Sequence, residues 1–224
     1  MWLRESAKRG KRMKDSFNLN NISVIIKDRM PEHIDPEFVF NYISARVPFY
    51  LTQTIEMVYV GRFPEMEERQ INAFYENDAI YVTNDQDEEM DMIEDIIHEI
   101  SHAIEEHNQE FIYSSGLLQR EFLAKRKQLA RRLEDNFKLP PHFEISFEYD
   151  KAIDDFLFVD VGYDVLNQLC VGIFPTSYAA TSVSEYWAKG FEEIFLGDKK
   201  DLKETCPALY RTLALLIKQM EENT

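Results

Sequence analysis

A strongly periodic apolar pattern over residues 89–107 is the feature that most constrains the fold. The apolar residues recur at three- and four-residue steps, as Met90, Ile93, Ile96, Ile97, Ile100, Ala103 and Ile104. This spacing predicts a long helix with one buried side. Acidic residues crowd its start, at 85 and 87–89, where negative charge suits the helix macrodipole.

Strands are predicted mainly before this helix, and helices after it. The expected strands are 22–27, 55–60 and a pair that flanks the turn 76–78, with 79–83 the clearer member. An early helix is expected over 36–47, with Asp35 as its N-cap and Pro36 in its first turn. The later helices are expected over 117–137, in pieces of 150–171 broken at Gly162, and over 182–196 and 207–222. Residues 174–180 are expected to form a loop. This order predicts an α+β protein.

The central helix carries the motif His98-Glu99-Ile100-Ser101-His102. Four residues make just over one helical turn, so the two imidazoles lie on one side and can converge on one ion. Zinc accepts histidine nitrogen at about 2.0–2.1 Å. Glu99 lies where it can accept a proton from a zinc-bound water without binding the metal. The pattern predicts a zinc-dependent peptidase, and the alternative is a chance match with surface histidines.

A catalytic zinc site usually has three protein ligands and one open position. The extension HExxHxxGxxH is absent, because Glu105 and Asn108 stand at its glycine and third histidine. His107 is one residue out of register and is interpreted as a surface histidine. The third ligand is therefore expected from a later helix.

Glu185 is the best candidate for that ligand. The alternative is structural, since Ser182 and Glu185 match an S-x-x-E capping box, and one carboxylate cannot easily serve both roles. Glu192 and Glu193, about two turns further on, compete for the ligand role.

Through the HExxH motif and Glu185, the sequence resembles the anthrax lethal factor-like peptidases, a gluzincin group that includes the Pro-Pro endopeptidases. That group combines HExxH with a glutamate ligand in a segment like E-[FY]-[FW]-A-x-x-F, which residues 185–191 (EYWAKGF) match. It also has a catalytic tyrosine seven residues before the glutamate, the position of Tyr178. The resemblance runs from about residue 79 to the C-terminus, and residues 1–70 carry no motif of the group.

The resemblance implies a zincin-like fold, one zinc ion held by His98, His102 and Glu185, and hydrolysis with Glu99 and Tyr178 as catalytic residues. Tyr178 would stabilise the oxyanion, and its alternative is an aromatic residue that fills a loop. Residues 1–224 would form one catalytic domain with two lobes, an α/β lobe over 1–110 and a helical lobe over 111–224. One departure is Lys189, where the group has an acidic residue four positions after the glutamate ligand.

Composition narrows the possible partners. The net charge of −16 disfavours nucleic-acid binding, because a binder must neutralise phosphates. The basic stretch 120–132 is interpreted as a solvated helix face. No apolar run has the 18 or so residues that a membrane helix needs, and the basic segment 1–14 does not resemble a secretory signal. A cytoplasmic or virion-associated location is favoured over secretion.

The two cysteines, Cys170 and Cys206, do not form a CxxC pair, which favours buried thiols over a disulfide. The expected partner is a protein or peptide substrate, and oligomeric state is left open. Two other functions compete with a peptidase. One is a catalytically silent zinc-binding interaction module, and the other is an acidic helical adaptor with a chance HExxH.

Overall fold

The computed structural model describes residues 16–224, so the basic segment 1–14 lies outside the described residues. The chain divides into two compact units, the first ending at Ile104 and the second spanning Glu105–Thr224. Strands occur in the first unit, and the described part of the second contains helices and loops. The prediction of an α+β protein is confirmed.

The first unit contains a mixed five-stranded sheet. Its strands are β1 (Ser16–Leu19), β2 (Ile22–Ile26), β3 (Met57–Val60), β4 (Ala73–Glu76) and β5 (Ala79–Val82), in the spatial order β1-β2-β3-β5-β4. The central strands β2, β3 and β5 run parallel, and the outer strands pair antiparallel to them. Alternate β-branched residues of the central strands are fully buried, for example Val58 and Val60, as expected for strands that pack on a core.

Over residues 16–107, which the structure describes, three α-helices accompany the sheet. These are α1 (Pro36–Arg46), α2 (Pro64–Arg69) and α3 (Glu89–His107). Asp35 caps α1 as predicted, since its side chain accepts a hydrogen bond from the Glu37 N–H at 2.9 Å. Helix α3 has the predicted bounds, and the apolar residues of its periodic pattern from Ile93 to Ile104 are buried.

The second unit is built from helices. They are α4 (Gln109–Tyr113), α5 (Leu117–Leu133), α6 (Lys151–Asp155), α7 (Tyr163–Cys170), α8 (Val183–Phe195), α9 (Lys199–Thr205) and α10 (Pro207–Glu222), with a π-helical segment at Phe156–Val161 and a 3₁₀ turn at Tyr178–Ala180. The predicted break at Gly162 is confirmed: its φ of 79° separates the π-helical segment from α7, and glycine adopts that angle without steric cost.

Three sequence-based boundaries and assignments need correction. Helix α5 ends at Leu133, four residues before the predicted end. The segment 174–180, predicted as a loop, ends in the 3₁₀ turn. Several short elements were missed, among them β1, α2, α4 and α9. Each of these has only four to seven residues, too few for a periodic pattern to stand out.

The basic stretch on α5 is not simply a solvated face. Lys125 and Arg126 are buried, with 6% and 0% of their surface exposed. The Arg126 guanidinium donates to the carbonyl oxygens of Phe143, Ala180 and Thr181 at 2.7–2.8 Å. Burial lowers the pKa of Arg126 to about 9, so the side chain keeps its charge at neutral pH. The interpretation as a solvated face holds for Arg131 and Arg132, which are exposed.

Arg126 therefore ties together two segments, at Phe143 and at Ala180–Thr181, that are far apart in the sequence. The Lys125 ammonium acts similarly, donating to the Ile173 and Thr205 carbonyl oxygens at 2.5 and 2.7 Å. Buried carbonyl groups need such donors, because an unsatisfied one costs about 1–3 kcal/mol. The two cations thus stabilise the connection that leads from α7 to α8.

Replacing Arg126 by Met is expected to lower the free energy of unfolding by about 3–5 kcal/mol, because three buried carbonyl groups lose their charged donor. The control is Arg131→Met on the exposed side of the same helix, for which a change within about 0.5 kcal/mol is expected. Urea denaturation followed by circular dichroism measures both. Equal stability of the two variants would show that the carbonyl contacts of Arg126 do not stabilise the fold.

Both cysteines are buried free thiols, as predicted. Burial raises the pKa of the Cys170 thiol to about 12, which keeps it protonated at neutral pH. The Cys170 thiol therefore behaves as a small apolar core residue, whereas the Cys206 thiol has hydrogen-bonding contacts with Tyr186 and Lys125.

Candidate metal centre

The two histidines of the motif project from the middle of α3 and are half-buried. Their Nε2 atoms lie 3.1 Å apart, and the ring planes meet at 73°. Two nitrogen ligands of one tetrahedral zinc ion, each bonded at about 2.0–2.1 Å, are about 3.3 Å apart. The spacing of the imidazoles therefore fits a shared metal ion.

The third member of the group is Glu185 on α8. One ligand atom from each of His98, His102 and Glu185 lies within 4.8 Å of the other two, close enough to hold a metal ion. Among the described residues this is the one such group of three or more histidine, cysteine or acidic side chains. Two imidazole nitrogens and one carboxylate oxygen are a donor set typical of catalytic zinc.

The capping-box alternative for Glu185 concerns its backbone as well as its side chain. Ser182 is the N-cap of α8, and its Oγ accepts a hydrogen bond from the Glu185 N–H at 3.1 Å. That bond uses the backbone of Glu185 and makes no demand on its carboxylate. This backbone half of the capping box is therefore compatible with a metal-binding role, whereas the sequence predicted that the two roles partly exclude each other through the carboxylate.

The rival carboxylates further along α8 have other contacts. Glu192 forms a largely buried ion pair with Lys189, at 2.9 Å. Glu193 accepts a hydrogen bond from the Asp198 N–H at 3.1 Å, and burial raises the pKa of its carboxyl group. Neither belongs to the group that could hold a metal. The structure thus favours Glu185 among the three candidates.

Glu99, the predicted base, lies in the buried part of α3, with 7% of its surface exposed. Two residues further on lies Ser101, whose hydroxyl donates to the His98 carbonyl oxygen at 2.6 Å. His107 ends the helix and is exposed, in agreement with its interpretation as a surface histidine.

A link between α3 and α8 escaped sequence analysis. The Ser184 hydroxyl donates to Glu105 Oε2 at 2.7 Å, and the Tyr113 hydroxyl donates to Glu105 Oε1. Glu105 lies three residues after His102, and Ser184 directly precedes Glu185. The link therefore fixes the start of α8 to the last turn of the histidine-bearing helix. In the sequence, Glu105 stands out only as the residue that breaks the HExxHxxGxxH pattern.

Tyr178 begins the 3₁₀ turn before α8 and is half-buried. Its carbonyl oxygen accepts from the Thr181 hydroxyl at 2.8 Å. The Lys189 ammonium, in the position where the lethal factor-like group has an acidic residue, lies 6.0 Å from the centre of the Tyr178 ring. Lys189 is thus a neighbour of Tyr178 and a partner of Glu192.

The comparisons with known proteins found no match: no protein-family model, no curated protein and no solved structure matches the chain. The resemblance to the lethal factor-like peptidases and the zincin-like fold therefore stay predictions that depend on the motif residues. Over the part of the chain that the structure describes, no helix has both the length and the apolar character needed to cross a bilayer.

Proposed function

We propose that the chain is a zinc-dependent endopeptidase of the lethal factor-like gluzincin type. The observation that carries the proposal is the grouping of His98, His102 and Glu185, three residues separated by up to 87 positions (185 − 98) in the chain. Three protein ligands leave a fourth position open, as catalytic zinc sites require. Residues 1–224 would then work as one catalytic domain.

When bound, zinc would supply a Lewis acid that polarises the scissile carbonyl and makes water easier to deprotonate. Glu99 would accept the proton of the attacking water and return it to the leaving amine. Tyr178 would donate a hydrogen bond to the carbonyl oxygen as negative charge develops there. His98, His102 and Glu185 would hold the metal.

The alternative of a catalytically silent zinc module receives less support. A structural zinc site is closed by four protein ligands, whereas the group found among the described residues has three. Such a module also has no use for a base, yet Glu99 directly follows the first histidine. The acidic-adaptor alternative gives no reason for a carboxylate from α8 to approach both histidines.

The experiment that tests the proposal combines metal analysis with cleavage. The purified protein should contain one zinc ion per chain and cleave internal bonds in a mixture of unstructured peptides, analysed by mass spectrometry. A chelator should stop cleavage, and added zinc should restore it. Absence of zinc would support the adaptor, while stoichiometric zinc without cleavage would support the silent module.

Tyr178→Phe removes only the phenolic oxygen. If that oxygen stabilises the developing charge, kcat should fall by about 10²–10³. KM should change little because the charge exists only near the transition state. Steady-state kinetics on a peptide that the wild type cleaves, with zinc content measured in parallel, give both constants.

Tyr163→Phe is the comparison variant for this measurement. Tyr163 is a second phenol to test, because burial, Asp154 and Glu185 together raise its pKa. A fall in kcat for Tyr163→Phe, with Tyr178→Phe within about twofold of wild type, would transfer the donor role to Tyr163. That result would also remove one of the three motifs that support the family resemblance.

A further inference from the structure

The second unit contains a pocket of about 360 Å³ that the proposed chemistry does not use. It is lined by the end of α3, by α4, by Gln119 of α5, by residues 147–149 and by residues 182–184 at the start of α8. A backbone hydrogen bond of 2.7 Å from the Val183 N–H to the Phe147 carbonyl oxygen holds the 147–149 segment against α8. The pocket is therefore a formed feature of this unit, of the size that small-molecule and side-chain sites have.

Two of its lining residues adjoin the candidate metal ligands. Ser184 precedes Glu185, and Glu105 lies one helical turn after His102. The 2.7 Å hydrogen bond between Ser184 and Glu105 forms part of the wall. A peptide held at the metal ligands would thus have this pocket beside it.

The chemistry of the lining is aromatic and acidic. Phe147, Tyr149 and Tyr113 supply rings, and Glu105 and Glu148 supply carboxylates. Among the described residues that line the pocket, none is lysine, arginine or histidine. Such a lining attracts a side chain that has an apolar stem and a positive end.

Two hydroxyl groups contact the carboxylate of Glu105. The hydroxyls of Ser184 and Tyr113 each donate to one of its oxygens. Burial and the nearby Glu105 raise the pKa of Tyr113, which keeps its hydroxyl protonated and donating. These two bonds orient the carboxylate at the wall of the pocket.

We propose that this pocket is a specificity subsite for a lysine or arginine side chain of the peptide substrate. The aliphatic stem would pack against Phe147 and Tyr149, and the cation would face Glu105 and Glu148. That the ligand is a peptide substrate rests on the proposed peptidase function. The selectivity of the pocket for a basic side chain does not depend on it. A net charge of −16 would also attract basic peptides.

Binding is tested first, without any cleavage. The probes are the N-acetyl, N-methylamide derivatives of arginine, norleucine and glutamate, added to the zinc-loaded, ¹⁵N-labelled protein. The side-chain amide signals of Gln109 and Gln119, which line the pocket, report occupancy by NMR. The arginine probe should shift them saturably and bind about tenfold or more tightly than norleucine, because its contacts with the carboxylates are charge-assisted. The glutamate probe should cause no shift.

Two charge reversals on one segment provide the matched pair. Glu148→Lys changes an exposed residue of the pocket rim, and it should weaken arginine binding about 3- to 10-fold. Glu144→Lys makes the same change four residues earlier, at an exposed residue that lines a different pocket, and should stay within about twofold of wild type. Glu105→Gln, which keeps an oxygen to accept from a hydroxyl, should weaken binding at least as much as Glu148→Lys.

Cleavage is tested second, on proteome peptides generated with a glutamate-specific protease so that lysine and arginine remain internal. Cleaved sites should show a basic residue at one fixed position from the scissile bond, and Glu148→Lys should reduce that preference. Cleavage with no basic preference, together with equal binding of arginine and norleucine, would overturn the subsite and leave the peptidase. Selective arginine binding without any cleavage would overturn the peptidase and leave the pocket's selectivity.

Discussion

Replacing Glu99 by Gln is expected to abolish nearly all peptide hydrolysis while the metal content stays at the wild-type level. The amide has the shape of the carboxylate and can still accept a hydrogen bond, but it cannot take a proton from water. General-base catalysis contributes about 10²–10⁴ in rate, so turnover should fall by that factor. Gln and Glu have similar helix propensities, so α3 should keep its structure.

The measurement is turnover of one cleavable peptide by protein with a verified zinc content. Glu106→Gln is the matched control, since it makes the same change at an exposed position of the same helix and should leave turnover within about twofold. Preparing both variants in parallel also excludes a contaminating protease as the source of activity. Undiminished turnover in Glu99→Gln would contradict the proposed mechanism, in which Glu99 is the general base.

Glu185→Ala is expected to weaken zinc binding by at least about 100-fold, more than the 10- to 100-fold typical of residues that only orient ligands. The fold should be retained, because alanine keeps the backbone N–H that Ser182 Oγ accepts at the start of α8. Competition with a chromophoric chelator measures the affinity, and thermal unfolding of the metal-free protein measures the stability. His98→Ala should show the same pattern of lost metal and retained fold.

Two variants on the same stretch of chain separate the possible roles. Ser182→Ala removes the cap and should cost about 0.5–2 kcal/mol of stability with zinc affinity unchanged. Glu193→Ala removes a rival carboxylate and should also leave zinc affinity unchanged. Wild-type affinity in Glu185→Ala, with a loss in Glu193→Ala, would transfer the ligand role to Glu193.

The sequence by itself determined the features that depend on neighbouring residues. Asp35 before Pro36 predicted the start of α1, and both are seen there. The four-residue spacing of His98 and His102 on an apolar-periodic helix predicted that the two imidazoles would converge, and their Nε2 atoms are 3.1 Å apart. Helical geometry alone produces this result, because residues four apart lie on the same side of any α-helix.

Only the tertiary structure decided which distant residues meet. The sequence alone does not decide between Glu185, Glu192 and Glu193 as the third ligand. In the structure, ligand atoms of Glu185, His98 and His102 lie within 4.8 Å of one another. Long-range packing also buries Arg126 against carbonyl oxygens that are up to 55 residues away in the sequence. It brings Ser184 within hydrogen-bonding distance of Glu105, which is 79 residues away in the sequence. The local sequence pattern alone does not show whether a charged residue on a helix is exposed or buried. A charged residue can be buried when it has hydrogen-bonding partners, and long-range packing determines which partners it has.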